Sequence, residues 1–281
     1  MKILTLNAHS WLEDKSDIKL KILADAIYKE KFDIVALQEV NQKINAKSIS
    51  EDKDCMLGYI KCSEDVIIKE DNFALVLVQK LKEKGINYFW SFVPNHIGYG
   101  IYDEGLAILS LKEVDKTDQF YISKTKDYTS YKTRRIVGLR VLDKEKASWF
   151  FSVHMGWWDD KEDPFYEQWN IIEEKMKKYS GDTIYLMGDF NSPSDTQGEG
   201  YSYILKKGKF KDSYNIAKFK DSGNTVEKEI DGWRDSGKTS MRIDYIFKNN
   251  DTPIEFSKVI FNGDNYPIVS DHFGVYIFYN D

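Results

Sequence analysis

Short apolar runs alternate with an amphipathic stretch near the start of the chain. Met1–Leu6 is a β-type run that ends at Asn7, and from about Ser16 apolar side chains recur at helical spacing. Ile34–Leu37 is a second apolar run, and Glu39 follows it closely. This strand, helix and strand form a βαβ-like unit, so we expect Asn7 and Glu39 to emerge at the same edge of a sheet.

The same patterns predict further elements along the chain. A helix passes through Ala74 and Leu81 and ends at Gly85, and another takes Asp163 as N-cap and Pro164 as first residue. The second of these runs to about residue 179, and a short helix is predicted at 199–206. Strands are predicted at 1–6, 34–37, 87–93, 106–109, 136–142, 149–153, 184–187, 242–247, 259–261 and 273–279. We predict a polar excursion at 41–70, a loop at 94–100 and a long polar loop at 218–240.

These elements favour an α/β protein. Strands outnumber helices about twofold, which predicts two packed sheets with helices on the outside. The sequence contains no internal repeat, low-complexity tract or linker. We therefore predict one domain that spans residues 1–281.

Composition narrows the class of protein. Apolar residues make up 42% and aromatic residues 15% of the 281 residues, which is enough for a sizeable core. A net charge of −6 argues against a protein that binds duplex nucleic acid. The sequence lacks an apparent secretion signal and a long apolar run, so we predict a cytoplasmic protein without a membrane partner. Cys55 and Cys62 are expected to be free thiols.

Polar residues stand at several predicted strand ends. Each one alone is most simply a turn residue, a solvated strand end or a hydrogen-bonded edge histidine. Their shared position at strand ends makes a common site the better interpretation. The residues are Asn7, Glu39, His154, Asp189, Asn191, Asp271 and His272, with Asp244 and Glu104 as further candidates.

These residue types suit a particular chemistry. Carboxylates with an amide and no cysteine favour a hard ion, Mg²⁺ or Mn²⁺. Two histidines add proton transfer and a positive charge for a phosphoryl group. The sequence has no Gly-rich phosphate loop, no Gly-x-Ser-x-Gly and no His-Glu-x-x-His. Metal-assisted phosphoester hydrolysis is the resulting hypothesis.

Five segments in order resemble the motifs of the endonuclease/exonuclease/phosphatase superfamily. The resemblance runs from residue 4 to residue 272 and implies a four-layer α/β sandwich with two mixed sheets. The segments are Leu4–Asn7, Ala36–Val40, Gly188–Asn191, Arg242–Phe247 and Ser270–His272.

The resemblance implies a role for each matching residue. Glu39 would be the principal metal ligand, with Asn7 and Asp271 nearby. Asp189 would orient or deprotonate the attacking water, and Asn191 would hold the scissile phosphate. His272 would contact the phosphate and be oriented by Asp244, while His154 would act from the other side, paired with Glu104. Water would attack in line, without a covalent enzyme intermediate.

The loops indicate the substrate. Trp157 and Trp158 follow His154 beside two aspartates, a mixture that suits a sugar but is nearly as compatible with core packing. Trp233 repeats this mixture in the late loop. These loops are similar to a bacterial branch of the superfamily that removes phosphate from sugars. The basic residues best placed to hold a phosphate are Arg134, Arg135, Lys132 and Arg242. Each could instead be an exposed charge, and for Lys132 we favour that interpretation.

We therefore expect a small phosphorylated partner, most simply a sugar phosphate, and no stable nucleic-acid partner. A nuclease for abasic or single-stranded DNA is the first alternative, and it predicts a basic groove. A sphingomyelinase is less favoured, because Phe89-Trp90 is the sole hint of a membrane-insertion loop. A catalytically silent scaffold would keep the fold and lose the polar set, which is intact.

Overall fold

Thirteen β-strands form two sheets in the computed structural model, which describes residues 1–50, 53–143, 146–228, 230, 232–233 and 240–280. The strands are β1 Lys2–Asn7, β2 Ile34–Lys43, β3 Phe89–Gly98, β4 Tyr102–Ser110, β5 Val114–Tyr121, β6 Arg135–Asp143, β7 Lys146–His154, β8 Thr183–Asp189, β9 Lys211–Asp212, β10 Ala217–Lys220, β11 Asp244–Lys248, β12 Ile254–Ile260 and β13 Gly274–Phe278.

Six α-helices and two short 3₁₀ helices, Ser10–Leu12 and Lys177–Tyr179, complete the described elements. No helix within these ranges has both the length and the apolar character needed to cross a membrane. The α-helices are α1 Ser16–Glu30, α2 Lys53–Met56, α3 Phe73–Glu83, α4 Phe165–Met176, α5 Gly200–Lys207 and α6 Ser213–Ile216.

The two sheets are mixed and pack face to face. The first has the order β10-β12-β13-β1-β2-β4-β3, and the second has the order β5-β6-β7-β8-β11-β9. The inner strands β1 and β2 contact β8 and β7 across the interface. On the outside, α3 packs on β2 and α1 on α3, while Trp169 of α4 meets the ring of Phe247 in β11. The predicted α/β sandwich is confirmed, and one domain over 1–281 stays a prediction.

The central strand of the second sheet depends on a glycine. Gly188 has a φ of +153°, and a Cβ atom there would lie 1.8 Å from the carbonyl oxygen of Val153. The strand predicted at 184–187 is longer in the structure, because β8 continues through Gly188 to Asp189. Glycine allows β7 and β8 to approach closely at the residue that precedes Asp189.

Several predicted boundaries also need correction. The predicted loop at 94–100 is largely strand, because β3 continues to Gly98 through a register shift between Pro94 and His96. A bulge at this point accommodates the missing N–H of proline. The strand predicted from residue 106 begins at Tyr102, and β5 was not predicted, since its polar sequence hides the alternation.

Two further elements differ from prediction. Helix α4 takes Pro164 rather than Asp163 as its N-cap and begins at Phe165. The predicted loop at 218–240 contains the end of β10 and a bridge between Val226 and Met241. Its residues 229, 231 and 234–239 lie outside the described part of the chain.

Candidate active site

Three side chains of the second sheet are direct cross-strand neighbours. His154 ends β7 and pairs with Asp189 at the end of β8, and Asp244 at the start of β11 pairs with Asp189 from the other side. Residues opposite each other in neighbouring strands point to the same face. The register therefore places the three groups in one row.

The first sheet presents Asn7 and Glu39 to this row. Asn7 ends β1, and the register of β2 shifts between Leu37 and Val40, so Glu39 lies in a bulge with a φ of +50°. This left-handed conformation costs about 1–2 kcal/mol for a residue with a Cβ atom. Strain of this kind is typical of functional positions.

The Asn7 side chain joins the two sheets. Its Nδ2 donates to Glu39 Oε1 at 2.8 Å and to Asp189 Oδ2 at 3.2 Å. Its Oδ1 accepts from the backbone N–H of His9 at 3.2 Å. Asn7 thus fixes both carboxylates relative to each other, whether or not its oxygen also contacts an ion.

His272 carries a positive charge in this site. Its Nδ1 lies 2.9 Å from Asp244 Oδ2, and its Nε2 lies 3.8 Å from Asp189 Oδ2. Burial lowers the pKa of His272, but the negative charges of Asp244 and Asp189 outweigh burial and raise it well above the usual range. The predicted pairing of His272 with Asp244 agrees with this geometry.

His154 is in the opposite state. Burial, and then the positive charges of Arg134 and His272, lower the pKa of His154 well below its usual range. Its Nε2 lies 3.6 Å from Asp189 Oδ2 and 3.2 Å from Asn191 Nδ2. A neutral imidazole can accept from that amide. Asp189 therefore lies between a charged and a neutral histidine.

Asp189 itself is tuned toward neutral pH. Burial, followed by the charge of Asp244, raises the pKa of Asp189 to about 6. The backbone N–H of Asn191 donates to Asp189 Oδ1 at 2.8 Å, which holds the carboxylate in place. A carboxylate with this pKa can accept a proton from water and release it near neutral pH.

The side chain of Asn191 forms more hydrogen bonds within the protein than predicted. Its Nδ2 also donates to the carbonyl oxygen of Met155 at 3.0 Å, and its Oδ1 accepts from Trp233 Nε1 at 3.2 Å. Its φ of +45° is a conformation that asparagine tolerates. In this state Asn191 positions His154, so direct contact with phosphate would require one of these bonds to open.

Three carboxylates, Glu39, Glu104 and Asp271, line the cavity next to this row. Burial, and then the charges of Glu104 and Asp271, raise the pKa of Glu39 to about 8. A divalent cation would relieve this repulsion. The donors are all oxygen atoms, which is the set that Mg²⁺ and Mn²⁺ prefer.

His9 was not predicted and lies at the edge of this cluster. Its Nδ1 is 2.8 Å from Glu13 Oε1 and 3.8 Å from Asp271 Oδ1. Burial lowers the pKa of His9, but the hydrogen bond to Glu13 and the charge of Asp271 raise it to about 9. A protonated imidazole is not a metal ligand, so His9 balances the two carboxylates in this state.

These groups border a cavity of about 290 Å³, close to the lower end of small-molecule sites. All four histidines of the chain line it, although two of them, His9 and His96, were not predicted. That count was the available signal in the sequence. The outer wall is formed by Ile97, Gly98, Tyr99, Tyr131, Arg134, Trp157, Ile230 and Gly232.

The partner predicted for His154 is wrong. Glu104 Oε1 lies 3.4 Å from His96 Nε2, its direct neighbour across β3 and β4. The second ring nitrogen of His96 lies 3.3 Å from the carbonyl oxygen of Thr133. Glu104 lines the cavity, but it orients His96 rather than His154.

Three of the predicted substrate residues, Arg135, Trp158 and Arg242, lie elsewhere, and Lys132 is also outside the cavity, as favoured from the sequence. Arg135 forms two bonds to Asp65, at 2.9 and 3.0 Å, because it points to the opposite face from Arg134. Trp158 packs against Phe165, Tyr166 and Tyr203. Arg242 pairs with Asp212, and Lys132 pairs with Asp160. Arg134 and Trp157 do line the cavity, and Trp233 reaches it through Asn191.

The fold is that of a family of divalent-metal-dependent phosphoester hydrolases. The chain belongs to the Endonuclease/Exonuclease/phosphatase family, whose sequence profile matches residues 12–272. The predicted superfamily and the predicted enzyme class are confirmed. No curated protein sequence matches the chain.

Solved structures are similar over the whole chain. An endonuclease/exonuclease/phosphatase family protein from Leptotrichia buccalis C-1013-b is 34% identical, with a TM-score of 0.86 and 100% of both chains covered. A mannosyl-6-phosphatase from Bacteroides thetaiotaomicron VPI-5482 is 17% identical, with a TM-score of 0.65 and 100% of both chains covered. D. rerio TDP2 complexed with a single-strand DNA product is 14% identical, with a TM-score of 0.64, and 100% of this chain and 99% of that chain are covered.

The charge on His272 can be tested with Asp244→Asn. Loss of the carboxylate removes the largest factor that raises the pKa of His272, so we expect this pKa to fall and kcat to drop about 100-fold. NMR titration of the imidazole and steady-state kinetics measure the two effects. Asp103→Asn, which alters a buried carboxylate outside the cavity, is the control. An unchanged kcat with a lowered pKa would contradict the role of the charged histidine.

Proposed function

We propose that the protein is a phosphomonoesterase that releases phosphate from a phosphorylated sugar, maltose 6'-phosphate or a similar compound. The observation that supports this function most directly is the position of the Asp189 carboxylate between a charged and a neutral histidine. The carboxylates of Glu39, Glu104 and Asp271 are close enough to interact electrostatically beside it. This arrangement combines a base for water with positive charge for a phosphoryl group.

In the proposed reaction, Asp189 orients the attacking water and accepts its proton. His272 stays protonated through Asp244 and offsets the negative charge that develops on the phosphoryl oxygens. His154, held by Asn191, offers a neutral imidazole on the opposite side of Asp189. Water attacks phosphorus in line, the bond from phosphorus to the sugar oxygen breaks, and the sugar leaves as an alcohol after its oxygen takes up a proton. Because water attacks directly, no covalent bond to the enzyme forms.

The metal is proposed to be Mg²⁺ or Mn²⁺. Glu39 and Asp271 would hold it, and Asn7 would orient Glu39 or add its oxygen. When bound, such an ion polarises the phosphoryl oxygens and helps to lower the barrier to attack. Glu104 adds to the negative charge that the ion would balance.

The outer wall supports a polar organic leaving group. Tyr99 and Tyr131 are each 57% exposed at the mouth of the cavity, and Trp157 lies deeper. Aromatic faces and carboxylates together suit a sugar, which presents both C–H groups and hydroxyls. The related fold of a protein named mannosyl-6-phosphatase is consistent with this substrate class.

A DNA substrate is the alternative. The TDP2 complex with single-strand DNA lends it weight, but at this identity the likeness extends only to the fold. The formal net charge of −6 and the pairing of Arg135, Arg242 and Lys132 with aspartates disfavour a basic groove. We therefore propose no stable nucleic-acid or membrane partner, and a cytoplasmic location remains part of the proposal.

A phosphate-release screen with Mg²⁺ distinguishes these substrates. The panel contains maltose 6'-phosphate, mannose 6-phosphate, nucleotides, inositol phosphates, sphingomyelin, and single-stranded and abasic DNA. We expect turnover of sugar monoesters and little cleavage of DNA. Asp189→Asn is the negative control, since it removes the base without changing side-chain size. Robust DNA cleavage with no turnover of any small monoester would refute the proposed function.

The metal cluster can be tested without an activity assay. At about pH 9, above the raised pKa of Glu39, the Glu39→Gln change removes charge repulsion from Glu104 and Asp271. We therefore expect a higher melting temperature in the metal-free protein at this pH and no further rise on addition of Mg²⁺. In the wild type, Mg²⁺ at a hundredfold excess over its Kd should stabilise the fold by about 2.7 kcal/mol. Thermal unfolding with and without EDTA measures both effects.

Glu30→Gln is the matched control for this experiment, because Glu30 is a partly exposed carboxylate paired with Lys2. We expect it to keep the full response to Mg²⁺. An equal response to Mg²⁺ in the Glu39 variant would rule out Glu39 as the principal ligand.

A further inference from the structure

Two residues that line the cavity each carry a buried N–H group without a hydrogen-bond partner. The groups are Arg134 Nε and Trp157 Nε1. Among the described residues that line the cavity, no other buried side-chain nitrogen or oxygen lacks a partner. Both groups are hydrogen-bond donors. A ligand that satisfies them must therefore supply acceptor atoms.

Arg134 is the more unusual of the two. It is only 4% exposed, and within the described part of the chain its guanidinium forms no ion pair within 4.0 Å. The adjacent Arg135 forms a bidentate pair with Asp65. Burial disfavours the charged form of Arg134 and lowers its pKa, and a buried charge without a close partner destabilises a fold. A ligand that supplies negative charge would explain why an arginine occupies this position.

The location of Arg134 fits a phosphate that reaches the catalytic row. It immediately precedes β6, which runs antiparallel to β7, so Arg134 lies beside the end of β7 that carries His154. Its positive charge is one of the factors that lower the pKa of His154. Glu39 belongs to the other sheet. A metal ion held by Glu39 would therefore supply positive charge from the first sheet, and Arg134 supplies it from beside the second sheet.

Trp157 is held by its packing. Gly232 has a φ of +82°, and a Cβ atom there would lie 2.6 Å from Cζ2 of the Trp157 ring. A larger residue at 232 would displace the ring. The close contact fixes the indole, and with it the position of the unpartnered N–H.

We propose that Arg134 and Trp157 Nε1 bind the unsubstituted oxygens of a terminal phosphate and thereby select monoesters over diesters. This inference rests on the proposed function and assigns the specificity of the same cavity. A phosphate monoester carries a charge of about −1.5 to −2 at pH 7 and three terminal oxygens. A diester carries one negative charge and two such oxygens. A diester therefore neutralises the charge of Arg134 less fully and offers fewer acceptors to the two donors.

The test compares aryl substrates with a common leaving group. For Arg134→Met we expect kcat/KM for p-nitrophenyl phosphate to fall about 10- to 100-fold, as for loss of a charged hydrogen bond, with a much smaller change for bis(p-nitrophenyl) phosphate. Trp157→Phe keeps an aromatic side chain but removes the indole N–H. We expect it to lower kcat/KM for p-nitrophenyl phosphate by about tenfold. An equal loss on both substrates would overturn the proposal.

Matched controls lie close by. Arg140→Met alters an arginine in β6, the strand that follows Arg134, and this arginine pairs with Asp115 and Asp182. Trp158→Phe alters the adjacent tryptophan, which packs outside the cavity. Both controls should keep the wild-type preference for the monoester.

Binding of inorganic phosphate to the metal-free protein separates this proposal from the proposed function. Calorimetry should detect binding by the wild type and about tenfold weaker binding by Arg134→Met and Arg134→Lys, since lysine lacks the planar fork. The free Arg134→Met protein should melt at or above the wild-type temperature. Equal binding by the variants, or no binding by the wild type, would overturn the donor pair. Absence of monoester turnover with Arg134-dependent phosphate binding would refute only the proposed function.

Discussion

The register of three neighbouring strands is the constraint on which the site depends. β8 lies between β7 and β11, and the pairing places His154 and Asp244 directly beside Asp189. A slip of one residue would turn Asp189 to the opposite face of the sheet. Gly188 permits the close approach of β7 and β8 just before this row. Packing of the two sheets then brings Asn7 and Glu39 against it, so the core fixes the geometry of the chemistry.

The two histidines of the site differ in charge because their electrostatic surroundings differ. Two buried histidines flank one carboxylate, yet Asp244 keeps His272 charged while Arg134 and burial keep His154 neutral. The same concentration of charge opposes folding, as the raised pKa of Glu39 indicates. A divalent cation on one side and a phosphate on the other would neutralise groups that the free protein leaves uncompensated. These charged groups thus lower the stability of the free protein and favour binding of the cation and the phosphate. Such a compromise is common in active sites.

Much of this site could be predicted from polar residues at the ends of apolar runs. The prediction that Asn7, Glu39, His154, Asp189, Asp271 and His272 converge agrees with the structure, because strands of a packed sheet share their ends. Partners were harder to predict. Glu104 pairs with His96 because β3 continues through a proline bulge that resembles a loop in sequence. Adjacent residues in extended chain point to opposite faces, so Arg134 and Arg135 could not both have been expected to face the cavity.

In the proposed reaction, water held by Asp189 attacks phosphorus directly. The stereochemical course at phosphorus tests it best, with an isotopically chiral thiophosphate monoester hydrolysed in isotopically labelled water. A single in-line displacement predicts inversion of configuration in the thiophosphate product. Retention would require two displacements through a covalent phosphoenzyme, and it would contradict the role assigned to Asp189 between the two histidines.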